Sequence, residues 1–260
     1  MRRDRSRLAL TGAVAAMLLV ASPEVRAQAP KSIERVKAAI VAVGTFQRAR
    51  SPAFQFRGTG FVVVDGLTIV TNAHVLPATV DSEKLETLAV LIPGIGREVQ
   101  VRPASRGPAD AAHDIALLRI EGAPLPALTV RDSDSVREGD SILFTGFPIG
   151  AVLGPYPATH RGMVAAITPI VIPPPNASQL DPAMIRRLAG GAFPVFQLDA
   201  TAYPGNSGSP LYAPDTGEVV GVVNMVFVKG TKEAALTQPS GISYAIPSRY
   251  LIELLKRGSR

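Results

Sequence analysis

The chain has 260 residues, with 27 Lys+Arg against 21 Asp+Glu, a formal charge of +6 and 47% hydrophobic residues. It contains no Cys and only three His, which excludes disulfide scaffolds, thiol nucleophiles and Cys-ligated zinc or iron–sulfur centres. Five Arg against Asp4 and Glu24 put half of the charge in the first 27 residues, and the +3 that remains argues against a nucleic-acid partner.

The N-terminus reads as a targeting segment. Arg2, Arg3, Arg5 and Arg7 precede an uncharged run, Leu8–Ser22. As a helix that run would rise about 22 Å, short of the ~30 Å hydrocarbon core. Small residues follow around Val25-Arg26-Ala27. This three-part pattern predicts a signal peptide over 1–27, cleaved after Ala27. The protein is then exported, periplasmic or secreted, with no stable membrane insertion after cleavage.

Beyond the leader, Ile33, Val36 and Ile40 at helical spacing behind Ser32 predict a short capped helix over Ser32–Val41. From there to Ile246, short β-branched runs alternate with Gly, Pro and Asp turns. Gly60–Val64, Thr68–Thr71, Leu88–Ile92, Ile115–Ile120, Ser141–Phe147, Val219–Val223 and Ile242–Ile246 are the strand candidates. The pattern predicts an all-β sandwich or barrels. Polar Pro124–Asp140 divides an N-terminal unit, 31–130, from a C-terminal unit, 131–257, and no internal sequence repeat is visible. Thr168–Phe196 and Lys229–Ser240 read as insertions, the first with a short helix capped by Asp181. Ser248–Lys256 has the apolar spacing of a terminal helix.

The chemistry concentrates in Tyr203-Pro204-Gly205-Asn206-Ser207-Gly208-Ser209-Pro210-Leu211. A Ser between glycines permits a tight turn that exposes its hydroxyl, and the amides of Gly205 and Ser207 can point into one space. Two such donors stabilise the oxyanion of an acyl-transfer intermediate, and loss of one typically costs about 3–4 kcal/mol. A serine hydroxyl needs a base, usually a His oriented by a buried carboxylate. Thr71-Asn72-Ala73-His74-Val75 places a His at a strand end, and His113-Asp114-Ile115 places an Asp at a strand start. His113 faces away from its neighbour Asp114, because strand neighbours face opposite sides. No His follows His160, so the Ser-acid-His order of α/β-hydrolases is excluded, and no His-Glu-x-x-His is present.

Thr59-Gly60-Phe61, Thr71–Val75, Asp114–Leu118, Gly205–Leu211 and Gly241–Ser248 together resemble the protease domain of HtrA/Deg proteases, in the trypsin-like superfamily. The resemblance runs over most of Ser32–Leu255. It implies an all-β fold of two six-stranded barrels, an N-terminal barrel with His74 and Asp114 and a C-terminal barrel with Ser207. It implies Ser207 as nucleophile, His74 as general base and acid, Asp114 as orienting carboxylate, and Gly205 and Ser207 as oxyanion donors. The motif puts the floor of the primary pocket at Thr201, with Ala202 and Met225 as walls. No carboxylate stands there to pair with a Lys or Arg, and no His lies near Gly221–Met225 to bind a Glu, so small or medium aliphatic side chains are the expected fit. Asn206 stands where digestive relatives have the Asp that binds a new N-terminus. No PDZ domain, cofactor or metal is expected. The partners implied are polypeptide substrates, and self-association is left open. The alternative function is a trypsin-fold binding or adaptor module with lost or latent catalysis.

Overall fold

The computed structural model describes residues 24–94, 98–150, 154–170, 193–224 and 241–258. A helix, α1 (Glu24–Lys37), leads into β1 (Ile40–Phe46), β2 (Phe54–Val63), β3 (Thr68–Asn72), β4 (Thr87–Pro93), β5 (Val99–Asp110) and β6 (Ile115–Ile120). These pair antiparallel in the closed order β1-β2-β3-β6-β5-β4. Then β7 (Ser141–Gly146), β8 (Ala158–Ile170), β9 (Phe193–Asp199), β10 (Pro210–Tyr212), β11 (Val219–Asn224) and β12 (Ile242–Pro247) close as β7-β8-β9-β12-β11-β10. The second order repeats the first, a topological duplication without a sequence repeat. Helix α2 (Ser248–Gly258) follows the second barrel. Closure leaves neither sheet an open edge.

All seven expected strands form; six match within two residues at each end, while β2 begins at Phe54, six residues before the expected Gly60. The expected helix over Ser32–Val41 is displaced. Helix α1 ends at Lys37, while Ile40 and Val41 open β1, whose β-branched run pairs with β2 on one side and β4 on the other. Ser32 is not a cap: it is buried within α1, and its hydroxyl donates to Pro214 O at 2.7 Å. The expected leader boundary after Ala27 falls inside α1, and residues 1–23 lie outside the described residues. Of the insertion expected over Thr168–Phe196, both flanks are strand, with Ile170 opposite Phe193, and 171–192 lie outside the described residues. The same holds for Lys229–Ser240.

Strands β1 and β11 are buried almost throughout, because one face fills a barrel and the other meets a second layer. One apolar cluster fills the first barrel and continues through Leu143, Phe147, Tyr212, Val222 and Ile246 of the second to Leu251 and Leu254 of α2. A separate cluster, with Phe144, Val164, Leu198, Leu211 and Val220, fills the second barrel. The terminal helices cross over. Helix α1, next to the first barrel in sequence, docks on the β10–β11 hairpin through Ser32 and through Arg35, which donates to Thr216 O. Helix α2, which follows the second barrel, reaches the first through Arg257, 3.1 Å from the Asp110 carboxylate. Each barrel is thereby tied to its partner by the other's helix.

The end of β1 is fastened by a half-buried carboxylate. Glu86 accepts from the Thr45 hydroxyl at 2.6 Å, the Asp81 amide at 3.1 Å and the Arg50 guanidinium at 2.7 Å. Those donors, Thr45 foremost, hold its carboxyl down at about 2. A carboxyl whose folded pKa lies below its unfolded one contributes stability above the unfolded pKa and loses it as pH falls through the folded value. Glu86→Gln is therefore expected to lower the unfolding temperature by a few degrees at pH 7, with the deficit shrinking from about pH 4.5 downward and vanishing near pH 2. Thermal melts of both proteins across that range check it; a deficit independent of pH would contradict the charge account.

Candidate active site

Pairing of β3 with β6 sets Asn72 opposite Ile115, so the chain leaves β3 beside the point where it enters β6. A 3-10 turn, Ala73–Val75, carries His74 out of β3. The carbonyl of Asp114 accepts from the Ala73 amide at 3.1 Å and from the Asn72 side-chain amide at 3.0 Å. Asp114 itself is in the left-handed region, with φ +54°. That conformation costs a non-glycine residue about 1–2 kcal/mol, and these bonds hold it in place.

The Asp114 side chain is 4% exposed. Its Oδ1 accepts the His74 amide at 2.9 Å. Its Oδ2 accepts from His74 Nδ1 at 2.6 Å and from Asn224 Nδ2 at 2.7 Å. Burial alone pushes this carboxyl up, but the His74 ring, its charge, the His74 amide and Asn224 outweigh burial and hold it below the ordinary value. A carboxylate can only accept, so the His74 proton sits on Nδ1 and Nε2 carries the free lone pair. The His74 side chain is 28% exposed, enough for Nε2 to meet a substrate.

Ser207 lies on the chain passing beside that turn. A Cβ placed on Gly58 would meet Val75 at 2.7 Å on one side and the Ser207 carbonyl at 3.1 Å on the other. Gly208 donates to Val223 O at 3.0 Å, one residue before Asn224. The carbonyls of the serine turn are all engaged: Tyr203 with the Asn206 amide, Pro204 with Ile149, Gly205 with the Thr59 hydroxyl, Asn206 with Ser209 and Ser207 with the Thr59 amide. In a trans peptide the N–H opposes the preceding carbonyl. The Gly205 and Ser207 amides are therefore turned away from the bonds that Pro204 and Asn206 make, and among the described residues neither donates to a protein acceptor. Gly205 can hold this geometry because it sits at φ +104°.

Asn224 falls in none of the sequence motifs, and Thr59, although part of one, has no role assigned by it. The Thr59 hydroxyl donates to Gly205 O at 2.7 Å and accepts from the Phe147 amide at 3.1 Å, clamping two loops of the second barrel to β2 of the first. Asn224 ends the apolar run Val219–Val223; a polar residue closing a buried strand was the available signal. Asn206 and the Ser209 hydroxyl are fully buried, and their side-chain polar atoms have no hydrogen-bond partner among the described residues.

Of the expected pocket residues, Thr201 is half-buried and Ala202 buried, with the Ala202 amide held by Ser243 Oγ at 3.0 Å. Met225 lies outside the described residues. His160 stands nearby, stacked on Phe144 at 4.8 Å and 6.0 Å from the Tyr203 ring, and burial pushes its imidazole pKa down. His113 pairs with Asp110 at 2.9 Å, not with Asp114; the expected strand alternation is not the reason, because both residues lie in the turn before β6 and Asp114 is left-handed.

A profile of the trypsin-like peptidase domain matches residues 58–222, from β2 through β11. The chain belongs to the trypsin-like peptidase family. Its relatives within that family are of the HtrA/DegP type. It is 29% identical over 191 residues to a "Probable periplasmic serine endoprotease DegP-like" of Halomonas elongata, covering 73% of this chain and 32% of that one. It is 35% identical over 205 residues to the mitochondrial serine protease HTRA2 of Bos taurus, covering 78% of this chain and 36% of that one. The chain thus spans about a third of the length of the curated relatives it matches. Among solved structures, Deg5 superposes with a TM-score of 0.62 at 23% identity, covering 88% of this chain and 93% of that one. A serine endoprotease of Yersinia pestis superposes with a TM-score of 0.61 at 22% identity, covering 88% and 65%.

In this trypsin-like domain the serine turn also depends on Gly208, at φ +87°, where a Cβ would stand 2.1 Å from Thr59 O and 2.6 Å from Thr71 Oγ1. Gly208→Ala combines an unfavourable φ with a clash against backbone, at a cost of at least about 1–2 kcal/mol. It is expected to lower the unfolding temperature by several degrees; a melt within about a degree of the parent would show that the turn yields freely.

Proposed function

We propose that this chain is an exported serine endopeptidase of the HtrA type, working through Ser207, His74 and Asp114. The observation that carries this reading is the 2.6 Å contact between His74 Nδ1 and the buried Asp114 carboxylate, on a His74 side chain that stays 28% exposed. In the mechanism, Ser207 Oγ attacks the scissile carbonyl while His74 Nε2 takes its proton. Asp114 stabilises the imidazolium that results, and the Gly205 and Ser207 amides receive the oxyanion. His74 then protonates the leaving amine, which leaves an acyl-enzyme. A water molecule, deprotonated by the same Nε2, releases the acid product and restores Ser207.

The primary pocket in this reading is built on Thr201, Ala202 and Met225, with polypeptides as substrates. An Arg or Lys inserted there would lack a carboxylate partner and be desolvated unpaired, which is strongly unfavourable. Cleavage after Val, Ala or Leu is expected in a peptide library; dominance of Arg, Lys or Glu would contradict the pocket. Export rests on the Arg-rich start and uncharged run of the leader. It is supported by the periplasmic names of bacterial relatives, while the HTRA2 relative is mitochondrial. N-terminal sequencing of the mature protein is expected to begin at Gln28.

Ser207→Ala and His74→Ala should each lower peptidase turnover by about 10⁴-fold or more; Ser207→Ala should leave the melt intact, whereas His74→Ala, which takes the ring from the buried Asp114 carboxylate, should also lower the unfolding temperature. Asp114→Asn should have an effect of similar size by favouring the wrong His74 tautomer. A fluorophosphonate that labels the parent but not Ser207→Ala supports the enzyme; a folded chain that neither labels nor hydrolyses peptides supports an adaptor module.

A further inference from the structure

Two His–Asp pairs meet the turn between β5 and β6. One is His74–Asp114. The other is His113 with Asp110, whose side chain is 8% exposed. Asp110 Oδ1 accepts the amides of Ala112 and His113 at 3.1 and 3.2 Å, and Oδ2 accepts from His113 Nδ1 at 2.9 Å and Arg257 at 3.1 Å. The His113 ring lies flat on Tyr250 of α2, with centroids 3.9 Å apart and planes 16° apart, and meets Phe193 at the start of β9 edge-on at 4.7 Å. Phe193 and Tyr250 close the triangle at 5.5 Å. The charged groups that face this cluster are Asp110 on the turn and Arg257 and Arg249 on α2, the last 5.1 Å above the Tyr250 ring. A single side chain therefore joins the first barrel, the second barrel and the terminal helix.

The residue after His113 is Asp114, held at φ +54°. A left-handed aspartate relaxes toward extended backbone unless both flanks are fixed. Pairing of β6 with β3 fixes the flank after Asp114. The flank before it is fixed by the Asp110 carboxylate and by the stacked His113 ring. We infer that His113 is a positioning residue: clamped between Asp110 and Tyr250, it holds the β5–β6 turn so that the Asp114 carboxylate meets His74 Nδ1. This rests on the role proposed for Asp114, and it assigns function to a histidine that would otherwise be treated as surface packing.

The consequence is measurable at the hydrogen bond itself. A proton held in a short bond between His74 Nδ1 and the Asp114 carboxylate resonates far downfield, and its signal moves upfield as the bond lengthens. With only three histidines, proton–nitrogen NMR of the full chain resolves each ring, and His74→Ala assigns the signal. His113→Ala, which loses both the hydrogen bond and the stack, is expected to move the Nδ1 proton signal upfield and to lower kcat by roughly tenfold, with KM little changed. Tyr250→Leu, which loses the stack alone, should shift both in the same direction by less. Tyr250→Phe, which keeps the stack, should restore the parent values. A role in packing alone would lower the unfolding temperature in the first two variants and leave the His74 Nδ1 signal in place, and that result overturns the inference. If His113→Ala does not fold, the Tyr250→Leu and Tyr250→Phe pair decides by the same signal. Absence of Ser207-dependent hydrolysis in the parent would sink the peptidase reading but not this comparison, whereas hydrolysis with an unmoved His74 Nδ1 signal sinks the positioning role alone.

Discussion

A buried carboxylate must be compensated where it sits, and Asp114 is compensated from both halves of the molecule. His74 supplies an amide and a ring nitrogen from the first barrel, and Asn224 supplies a side-chain amide from β11 of the second. A buried charge stripped of its partner costs roughly 3–5 kcal/mol, a large share of a domain's net stability. The two barrels therefore cannot move apart at this point without exposing that cost. The same bonds that compensate the charge give the His74 ring its tautomer and direction. Stability and the proposed proton transfer use one set of contacts.

The remaining contacts between the barrels act around this centre. Thr59 binds the serine turn and the Phe147 loop to β2 with one hydroxyl. The apolar cluster of the first barrel runs on through Leu143, Tyr212 and Val222, so the two barrels share one apolar core. The crossed terminal helices add ties at opposite ends, Ser32 to Pro214 and Arg257 to Asp110. The tie made by α2 ends on the carboxylate that anchors the turn before Asp114, so helix docking and the geometry of the His–Asp pair share one residue, Asp110.

Parts of this architecture were legible because they rest on local rules. Apolar β-branched runs such as Val219–Val223 and Ile115–Ile120 can bury two faces only as strands, and Gly-flanked Ser207 marks a tight turn whatever surrounds it. Strands β5 and β8 escaped because their residues are mixed in polarity: β5 exposes much of its length, and Pro103, Gly107 and Pro108 break its run with residues that read as turn signals. Ile40 and Val41 fit a helical repeat as well as a strand, and only their pairing with β2 and β4 separates the two.

The sequence by itself determined the residue types and their placement at strand ends: His74 after β3, Asp114 before β6, Ser207 within glycines. The strand alternation expected of His113 and Asp114 does not apply, because both lie in the turn after β5 and Asp114 is left-handed, not extended. Tertiary structure alone decided which groups complete the site. Asn224 lies 110 residues from Asp114 and Gly205 lies 146 from Thr59, distances over which no periodicity carries information. Closure of two barrels brings those side chains within hydrogen-bonding reach, and the need to satisfy each buried donor and acceptor then selects the partners.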